Sequence, residues 1–426
     1  MVDFYIVNKS KKGNFMKIVI IGNGPSGVKA AETIRKFDDK SEIILISEEN
    51  HPFYFRRNLP WFIAGKFSEE KLIVKKPEFY LKNNINQVLG KTVEKIFVKE
   101  KEVLLNSEEK IKYDKLLIAS GATPVTGEWK NLNFKGVFTL RTLDDAKAIK
   151  EYMEKIEEVV IVGGGLLGLN MAEVFSEKGL KVHILQRGSR LSPQMFDFEV
   201  SNFIKSKLEE KGVEVNFNEE LIEIKGENGT LSEVETSKGR KIRCQMLIIA
   251  IGVTPAIKFL KETEVKTDRG VLTNEYMETN VENVYAAGDV AQVYNPLKAQ
   301  YLISTSWVSA LEQGETAGFN IINKNKKSYL GVSLNLEFIF GIPIASIGLS
   351  NPSNESKYKF LIKNELNKGL YLKLVLENGK IVGGLLVGKA EKADLIKELI
   401  KQQVDVNKYE EKLLKEEFEE ILKEVK

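Results

Sequence analysis

The chain of 426 residues has room for two to four domains, and 43% of its residues are hydrophobic. Its 63 basic and 60 acidic residues give a formal net charge of +3, which provides no basic surface for nucleic acid or an anionic membrane. The longest apolar runs fall far short of the ~20 residues that span a bilayer. We therefore expect a globular cytoplasmic protein with no membrane span and no nucleic-acid partner.

Cysteine and histidine are rare in this chain: Cys244, His51 and His183 are the only such residues. One cysteine excludes an intrachain disulfide, a CxxC redox pair and a cysteine-ligated cluster. We expect Cys244 to be a small buried hydrophobe, both histidines to be structural, and no metal site. Residues 1–15 lack the apolar core of a signal peptide and are interpreted as a dispensable extension.

The first chemical motif is KIVIIGNGPSGVKAAETIRK, which predicts a strand, a glycine turn and a helix. In this pattern one glycine permits the tight turn, the next lets the backbone approach a pyrophosphate, and the third lets helix and strand pack closely. The helix N-terminus supplies positive potential. The following strand, EIILIS, ends before an acid that can accept a ribose hydroxyl. The predicted dinucleotide site comprises Gly22, Gly24, Pro25, Ser26, Gly27 and Glu48.

The same pattern recurs at EVVIVGGGLLGLNMAEVF and predicts a second dinucleotide lobe. Here the following strand ends at Gln186 instead of an acid, and Arg187 and Arg190 come next. An acid would repel a 2′-phosphate, whereas an arginine would bind one. NADPH therefore fits as well as NADH, and the arginines are either phosphate ligands or solvated loop charges. The predicted site comprises Gly163, Gly165, Leu166, Leu167, Gly168, Gln186, Arg187 and Arg190.

Three further segments carry a family resemblance: YDKLLIASGATP, LIIAIGVTPAIKFL and TNVENVYAAGDVA. Together with the glycine motifs, and in this order, they resemble the pyridine nucleotide-disulfide oxidoreductases. The resemblance implies FAD on the first lobe and NAD(P)H on the second. It also implies that the first two segments cross between lobes, and that an aspartate in the third binds the FAD ribityl chain. The residues it adds are Ala119, Ser120, Gly121, Gly288 and Asp289 for FAD, and Gly252 for NAD(P)H.

Within this family, HPFYFRRNLPWFIAG, SWVSALEQGETAG and FIFGIPIASIGL are most similar to NAD(P)H:rubredoxin oxidoreductases and nitrite-reductase flavin modules. By that resemblance Arg56 contacts the FAD. Members that reduce coenzyme A disulfide, peroxide or oxygen carry a redox cysteine at this segment, where the present chain has Arg57 and Asn58. Because no thiolate can receive the electrons, they must leave from the flavin itself.

A second departure concerns a lysine–glutamate pair found in ferredoxin-reductase relatives, whose positions are occupied here by Trp61 and Asn170. Loss of both partners together avoids stranding a buried charge. We therefore interpret Pro60, Trp61 and Asn170 as flavin-proximal residues of the catalytic site. The alternative is an alignment offset of one or two residues.

The motif order predicts an α/β fold with two Rossmann-like dinucleotide-binding lobes and a C-terminal α+β domain. The C-terminal strands predict an antiparallel sheet with a hairpin at Asn378 and Gly379. The tail shows an apolar helical face that we expect to pack on the chain itself, and a homodimer through this domain is a further expectation. The predicted domains are FAD-binding at 16–123 and 254–326, NAD(P)-binding at 124–253, and a C-terminal interface domain with a helical tail at 327–426.

These features predict an FAD-dependent NAD(P)H:acceptor oxidoreductase. Hydride would pass from the nicotinamide to the flavin, and electrons would then reach an external acceptor such as rubredoxin or another small redox protein. Oxygen, sulfur compounds and quinones are alternative acceptors. A hypothesis from another class is a flavin-bound subunit or sensor of a larger redox complex with suppressed turnover. Disulfide reduction through an exogenous thiol is a third, which the missing redox cysteine disfavours.

Overall fold

The computed structural model describes residues 15–295, 299–352 and 354–425, so the predicted N-terminal extension lies outside the described residues except for Phe15. The α-helices are α1 (Pro25–Phe37), α2 (Leu59–Ile63), α3 (Glu69–Leu72), α4 (Pro77–Lys82), α5 (Leu143–Met153), α6 (Leu166–Glu177), α7 (Phe198–Glu210), α8 (Trp307–Ile322), α9 (Ala393–Lys401), α10 (Glu410–Leu414) and α11 (Phe418–Glu424). Single 3-10 turns span Arg56–Asn58, Lys258–Leu260, Glu355–Lys357, Leu366–Lys368, Ala390–Lys392 and Asn407–Tyr409.

The strands are β1 (Lys17–Ile21), β2 (Glu42–Ser47), β3 (Ile85–Leu89), β4 (Val93–Phe97), β5 (Glu102–Leu105), β6 (Lys110–Lys112), β7 (Lys115–Ile118), β8 (Ala122–Pro124), β9 (Val137–Phe138), β10 (Glu158–Val162), β11 (Lys181–Gln186), β12 (Val213–Phe217), β13 (Leu221–Glu227), β14 (Thr230–Thr236), β15 (Lys241–Arg243), β16 (Met246–Ile249), β17 (Val253–Pro255), β18 (Val271–Thr273), β19 (Val284–Ala286), β20 (Ala291–Asn295), β21 (Gln300–Ile303), β22 (Leu334–Ile339), β23 (Ile342–Gly348), β24 (Lys359–Glu365), β25 (Leu370–Glu377) and β26 (Lys380–Val387).

The described residues form two compact units. Unit 1 contains the chain up to Phe55, Glu69–Thr123 and Thr254–Gly331, and unit 2 contains Arg56–Ser68, Pro124–Val253 and the chain from Val332 onward. The chain therefore passes from unit 1 to unit 2 after Thr123 and returns after Val253. The short segment from Arg56 to Ser68, which carries the predicted flavin-proximal residues Pro60 and Trp61, belongs to unit 2.

Unit 1 is built on a five-stranded parallel sheet in the order β19-β7-β1-β2-β3. Helix α1 connects β1 to β2 and packs against α8. Two glycines of α8 allow this close approach: a Cβ at Gly314 would lie 2.3 Å from Ser26 O, and one at Gly318 would lie 2.6 Å from Ala30 O. Strands β19, β7, β1 and β2 are apolar and almost fully buried, as expected for a parallel sheet covered on both faces, whereas the edge strand β3 is partly exposed.

The nucleotide lobe of unit 2 repeats this arrangement, with a parallel sheet in the order β12-β11-β10-β16-β9 and α6 between β10 and β11. An antiparallel meander, β13-β14-β15, lies beside it in the chain. Each parallel sheet thus places its glycine-motif strand at the centre with the next strand beside it. The predicted fold class, with two Rossmann-like lobes, is confirmed.

The C-terminal part of unit 2 is an antiparallel sheet in the order β22-β23-β26-β25-β24, as predicted. The predicted hairpin at Asn378 and Gly379 is confirmed, with φ values of 50° and 74° that an Asn-Gly pair adopts readily. The tail folds into α9, α10 and α11, and its apolar residues, including Ile396 and Phe418, are buried in one cluster with residues of this sheet. The predicted packing of the tail on the chain itself is confirmed. Among the described residues, no helix has the length and hydropathy needed to cross a bilayer.

Candidate cofactor-binding sites

The first glycine turn has a geometry that only glycine permits. Gly22 has φ +121°, and a Cβ there would lie 2.1 Å from Ala119 O. A Cβ at Gly27 would lie 2.0 Å from Gly22 O, so helix and turn are in backbone contact. These contacts fix the start of α1 directly over the end of β1.

The N-terminus of α1 is open where a pyrophosphate would lie. Gly24 precedes the helix in an extended conformation, and no side chain caps the first turn, which begins at Pro25. A Cβ at Gly24 would meet nothing within 4 Å. The helix therefore begins with no side-chain cap and with open space at Gly24, which is the arrangement an anion requires.

Four further predicted FAD residues lie at the carboxyl ends of the same parallel strands. Glu48 follows β2 and is exposed, while Ala119, Ser120 and Gly121 follow β7. Parallel strands bring their carboxyl ends to one edge of the sheet, where doubly wound folds bind nucleotides. The structure thus brings the glycine turn, Glu48 and the segment after β7 to one edge.

The turn after β19, which carries Gly288 and Asp289, is held by buried hydrogen bonds. Ser26 Oγ donates to Ala287 O at 3.2 Å, and Gly288 N donates to Gln313 Oε1 at 2.8 Å. Gly288 has φ +85°, and a Cβ there would lie 2.5 Å from Ser26 Oγ. Gln313 was missed in the sequence, although it lies in SWVSALEQGETAG, one of the segments that carried the resemblance.

The second glycine turn repeats the backbone contacts of the first. A Cβ at Gly163 would lie 2.4 Å from Ala250 O, and one at Gly168 would lie 2.0 Å from Gly163 O. Gly165 precedes α6 in an extended conformation, no side chain caps the helix, and a Cβ at Gly165 would meet nothing within 4 Å. Leu166 and Leu167 form the first turn of this helix. A second open helix N-terminus therefore lies at the carboxyl edge of the unit 2 sheet.

Gln186, at the end of β11, is engaged within the protein through both ends of its carboxamide. Its Oε1 accepts from Gly164 N at 2.8 Å, and its Nε2 donates to Arg190 O at 3.1 Å. The Arg190 guanidinium lies 4.8 Å from the centroid of the Phe198 ring, and the Arg187 side chain is exposed. Gly252, after β16, has φ +118° and is exposed at the same edge.

The segment from Arg56 to Ser68 places two of the predicted flavin-proximal residues, Pro60 and Trp61, on α2. Arg56 Nη1 donates to Arg141 O within unit 2. Pro60 is buried in the first turn of α2, and the Lys66 ammonium lies 4.7 Å from the centroid of the Trp61 ring. Helix α2 packs on α6, the helix that carries Asn170.

Asn170 has a charged neighbour that the sequence did not reveal. It hydrogen-bonds to the half-buried Glu337 carboxylate of β22, which lies 3.3 Å from Arg57 Nη2. Burial raises the pKa of Glu337, while the Arg57 charge and the hydrogen bond from Asn170 act in the opposite direction. The Oδ1 atom of Asn170 is buried and has no hydrogen-bond partner among the described residues. The sequence feature that could have indicated this contact is the acidic residue within the otherwise largely apolar strand LNLEFI.

Residues 16–314 match the protein-family model described as pyridine nucleotide-disulphide oxidoreductase. The chain belongs to this family. Residues 335–404 match a second model, described as the C-terminal domain of rubredoxin NAD+ reductase.

Individual members of the family resemble this chain over most of its length. It is 31% identical over 385 residues to the NADH-rubredoxin oxidoreductase of Clostridium acetobutylicum, covering 90% of this chain and 94% of that protein. It is 33% identical over 314 residues to the NAD(P)H coenzyme A polysulfide/persulfide reductase of Pyrococcus horikoshii, covering 72% of this chain and 70% of that protein. The crystal structure of the C. acetobutylicum NADH:rubredoxin oxidoreductase matches with a TM-score of 0.75 at 29% identity, covering 92% and 96%.

The predicted enzyme class, an FAD-dependent NAD(P)H oxidoreductase of the pyridine nucleotide-disulphide oxidoreductase family, is confirmed. The protein's own residues fit two dinucleotides, because each parallel sheet ends in an uncapped helix N-terminus with free space above its second glycine. Bound FAD supplies a centre that takes up two electrons and can release them singly. The protein contributes binding and orientation.

Both histidines contact other side chains of the protein, and the cysteine is buried in its interior. His183 is buried in β11, 2.6 Å from Glu158 Oε1 and 2.9 Å from Glu214 Oε2, and His51 makes an edge contact with the Tyr54 ring. Cys244 is fully buried, as predicted.

Cys244 is expected to be unreactive. Burial, reinforced by Glu158 and Glu233, raises the pKa of its thiol to about 12, so roughly one molecule in 10,000 carries the thiolate at pH 8. We expect a chromogenic disulfide reagent to detect no thiol in the folded protein at pH 8. One thiol should appear in denaturant, and a fast reaction of the folded protein would contradict this prediction.

Proposed function

We propose that this oxidoreductase passes electrons from NAD(P)H through FAD to a small one-electron carrier of the rubredoxin kind. The observation that carries the proposal is the cysteine content: the chain has one cysteine, and it is fully buried. No thiol of this chain can therefore take electrons from the flavin, and an external acceptor is needed. The match of residues 335–404 to the C-terminal domain of rubredoxin NAD+ reductase supports an iron protein as that acceptor.

We propose that the two glycine turns bind the two pyrophosphates, and that Glu48 and Asp289 accept hydroxyl groups of FAD. In this proposal Arg56, Pro60, Trp61 and Asn170 lie near the reacting atoms. The Oδ1 atom of Asn170, buried without a partner among the described residues, is suited to accept a hydrogen bond from a bound group.

For the coenzyme, we propose that NADPH is accepted. Gln186 carries no charge, and its carboxamide is engaged by Gly164 and Arg190, so nothing at this position repels a 2′-phosphate. The exposed Arg187 lies one residue further along, where a guanidinium can bind a phosphate.

The test is an anaerobic titration of the FAD-loaded protein with NADH and, separately, NADPH, followed through flavin absorbance. We expect rapid bleaching by NADPH, and we expect the reduced protein to reduce added rubredoxin. A yellow protein bleached by neither nucleotide would contradict the proposal and favour a flavin-bound subunit. Bleaching by NADH alone would contradict the choice of coenzyme, and bleaching without rubredoxin reduction would contradict the choice of acceptor.

We also propose that two copies associate through the C-terminal sheet. The support is the half-exposed Phe338 and Ile362, which lie on the edge strands β22 and β24. Sedimentation velocity tests this, and a monomer at micromolar concentration would contradict it.

A further inference from the structure

The segment that follows β11, residues 187–197, carries both predicted phosphate-binding arginines, and we call it the coenzyme loop. One side of it is attached to the glycine turn. Gln186 Nε2 donates to Arg190 O at 3.1 Å, and Ser192 N donates to Gly164 O at 2.8 Å. These hydrogen bonds fix the position of the loop relative to the turn that precedes α6.

The other side of the coenzyme loop is attached to a different part of the chain, the C-terminal sheet of unit 2. Asn351, which follows β23, donates through its single Nδ2 to Pro193 O at 2.7 Å and to Phe196 O at 3.2 Å. Ser350 Oγ makes a longer hydrogen bond, 3.4 Å, to Met195 O. These contacts satisfy main-chain carbonyls of the loop, which has no regular secondary structure of its own.

The end of the coenzyme loop is fixed by a buried polar cluster. Asp197 caps the N-terminus of α7 by accepting from Val200 N at 3.1 Å. Its other oxygen accepts from Tyr371 Oη at 2.7 Å and lies 3.2 Å from Lys373 Nζ, both on β25. All three polar side chains are buried, and both burial and the Asp197 carboxylate raise the pKa of Tyr371, so its hydroxyl remains a donor.

We propose that the C-terminal sheet sets the position of the coenzyme loop, with Asn351 and Tyr371 acting as positioning residues for NAD(P)H binding. The inference rests on the proposed function, because it needs the loop to contact the coenzyme. An irregular loop that carries two long arginine side chains loses entropy when it orders around a ligand. A sheet that holds the loop in place before binding removes part of that cost.

The decisive experiment compares Asn351→Ala and Tyr371→Phe with the wild-type protein, all loaded with FAD. Calorimetric titration with NADP+ and NAD+ gives the dissociation constant of each coenzyme. Amide hydrogen exchange measures how well ordered the backbone of residues 187–197 is. We expect each variant to bind the coenzyme that the wild type binds about 10-fold more weakly than the wild type does, with faster amide exchange in the coenzyme loop. We expect unchanged FAD content and kcat, so that the defect appears in KM alone.

The matched control is Asn364→Ala, on β24 at the edge of the same sheet, where the side chain accepts from Leu366 N within the C-terminal domain. This variant should match the wild type in every readout. If the wild type binds a coenzyme and both test variants bind it equally well, the positioning role is overturned while the proposed function stands. If the wild type binds neither coenzyme, the proposed function fails and the positioning role fails with it.

Discussion

Replacing Gly165 by alanine should weaken NAD(P)H binding about 10- to 100-fold and leave FAD bound, while Gly24→Ala should do the reverse. Both glycines have extended backbones that any residue adopts, and a Cβ at either position would meet nothing within 4 Å. The folded protein therefore tolerates both changes. A bound pyrophosphate would not, because the new methyl group occupies the space through which the backbone approaches it.

The expected magnitude is that of one charge-assisted hydrogen bond from a helix N–H to a phosphate, about 1.5–3 kcal/mol, or roughly one to two powers of ten in affinity. Flavin content per polypeptide and calorimetric titration with NADP+ and NAD+ measure the two effects independently. Each variant serves as the control for the other. Loss of FAD from Gly165→Ala, or wild-type coenzyme affinity in that variant, would show that the second glycine turn has another role.

A second large effect is expected at the buried pair of Lys373 and Asp197. The two side chains are only 6% and 8% exposed, and the Lys373 ammonium also lies 4.9 Å from the centroid of the Phe360 ring. Lys373→Met keeps most of the apolar volume but strands a buried carboxylate. We expect this change to lower the free energy of unfolding by about 3–5 kcal/mol. Urea denaturation followed by circular dichroism at neutral pH measures it.

The double variant Lys373→Met with Asp197→Asn distinguishes a stranded charge from lost packing. Asparagine still caps α7 and still accepts from the Tyr371 hydroxyl, but it carries no charge. Most of the lost stability should therefore return. A double variant as unstable as the single one would indicate that the lysine acts through its packing on Phe360.

The parts of the site that were predictable are those encoded by local sequence. The glycine turns are local because backbone contacts such as Gly27 to Gly22 involve residues five apart, and the Asn378–Gly379 hairpin is local for the same reason. Parallel strands then bring their carboxyl ends together without further information.

The contacts that were missed join residues far apart in the chain. Asn351 and Pro193 are 158 positions apart, and Glu337 reaches Asn170 and Arg57 only after β22 is placed. The sequence placed Trp61 and Asn170 at the positions of the lysine–glutamate pair of ferredoxin-reductase relatives. The structure has a different charged pair near Asn170, formed by Arg57 and Glu337. No local pattern specifies such tertiary partners, although a polar residue in an apolar strand indicates that one exists.

The order of strands in unit 1 has a consequence for synthesis. Strand β7 pairs with β19, whose partner residues Leu116 and Val284 are separated by the whole inserted nucleotide lobe. At about 5–20 residues per second, the ribosome completes β19 roughly 8–34 seconds after β7. During that interval one side of β7 has no neighbouring strand, and α1 has no α8 to cover it. All five strands of the unit 2 parallel sheet lie within the inserted lobe and are synthesised before β19. The nascent chain can therefore complete its second nucleotide-binding sheet before its first.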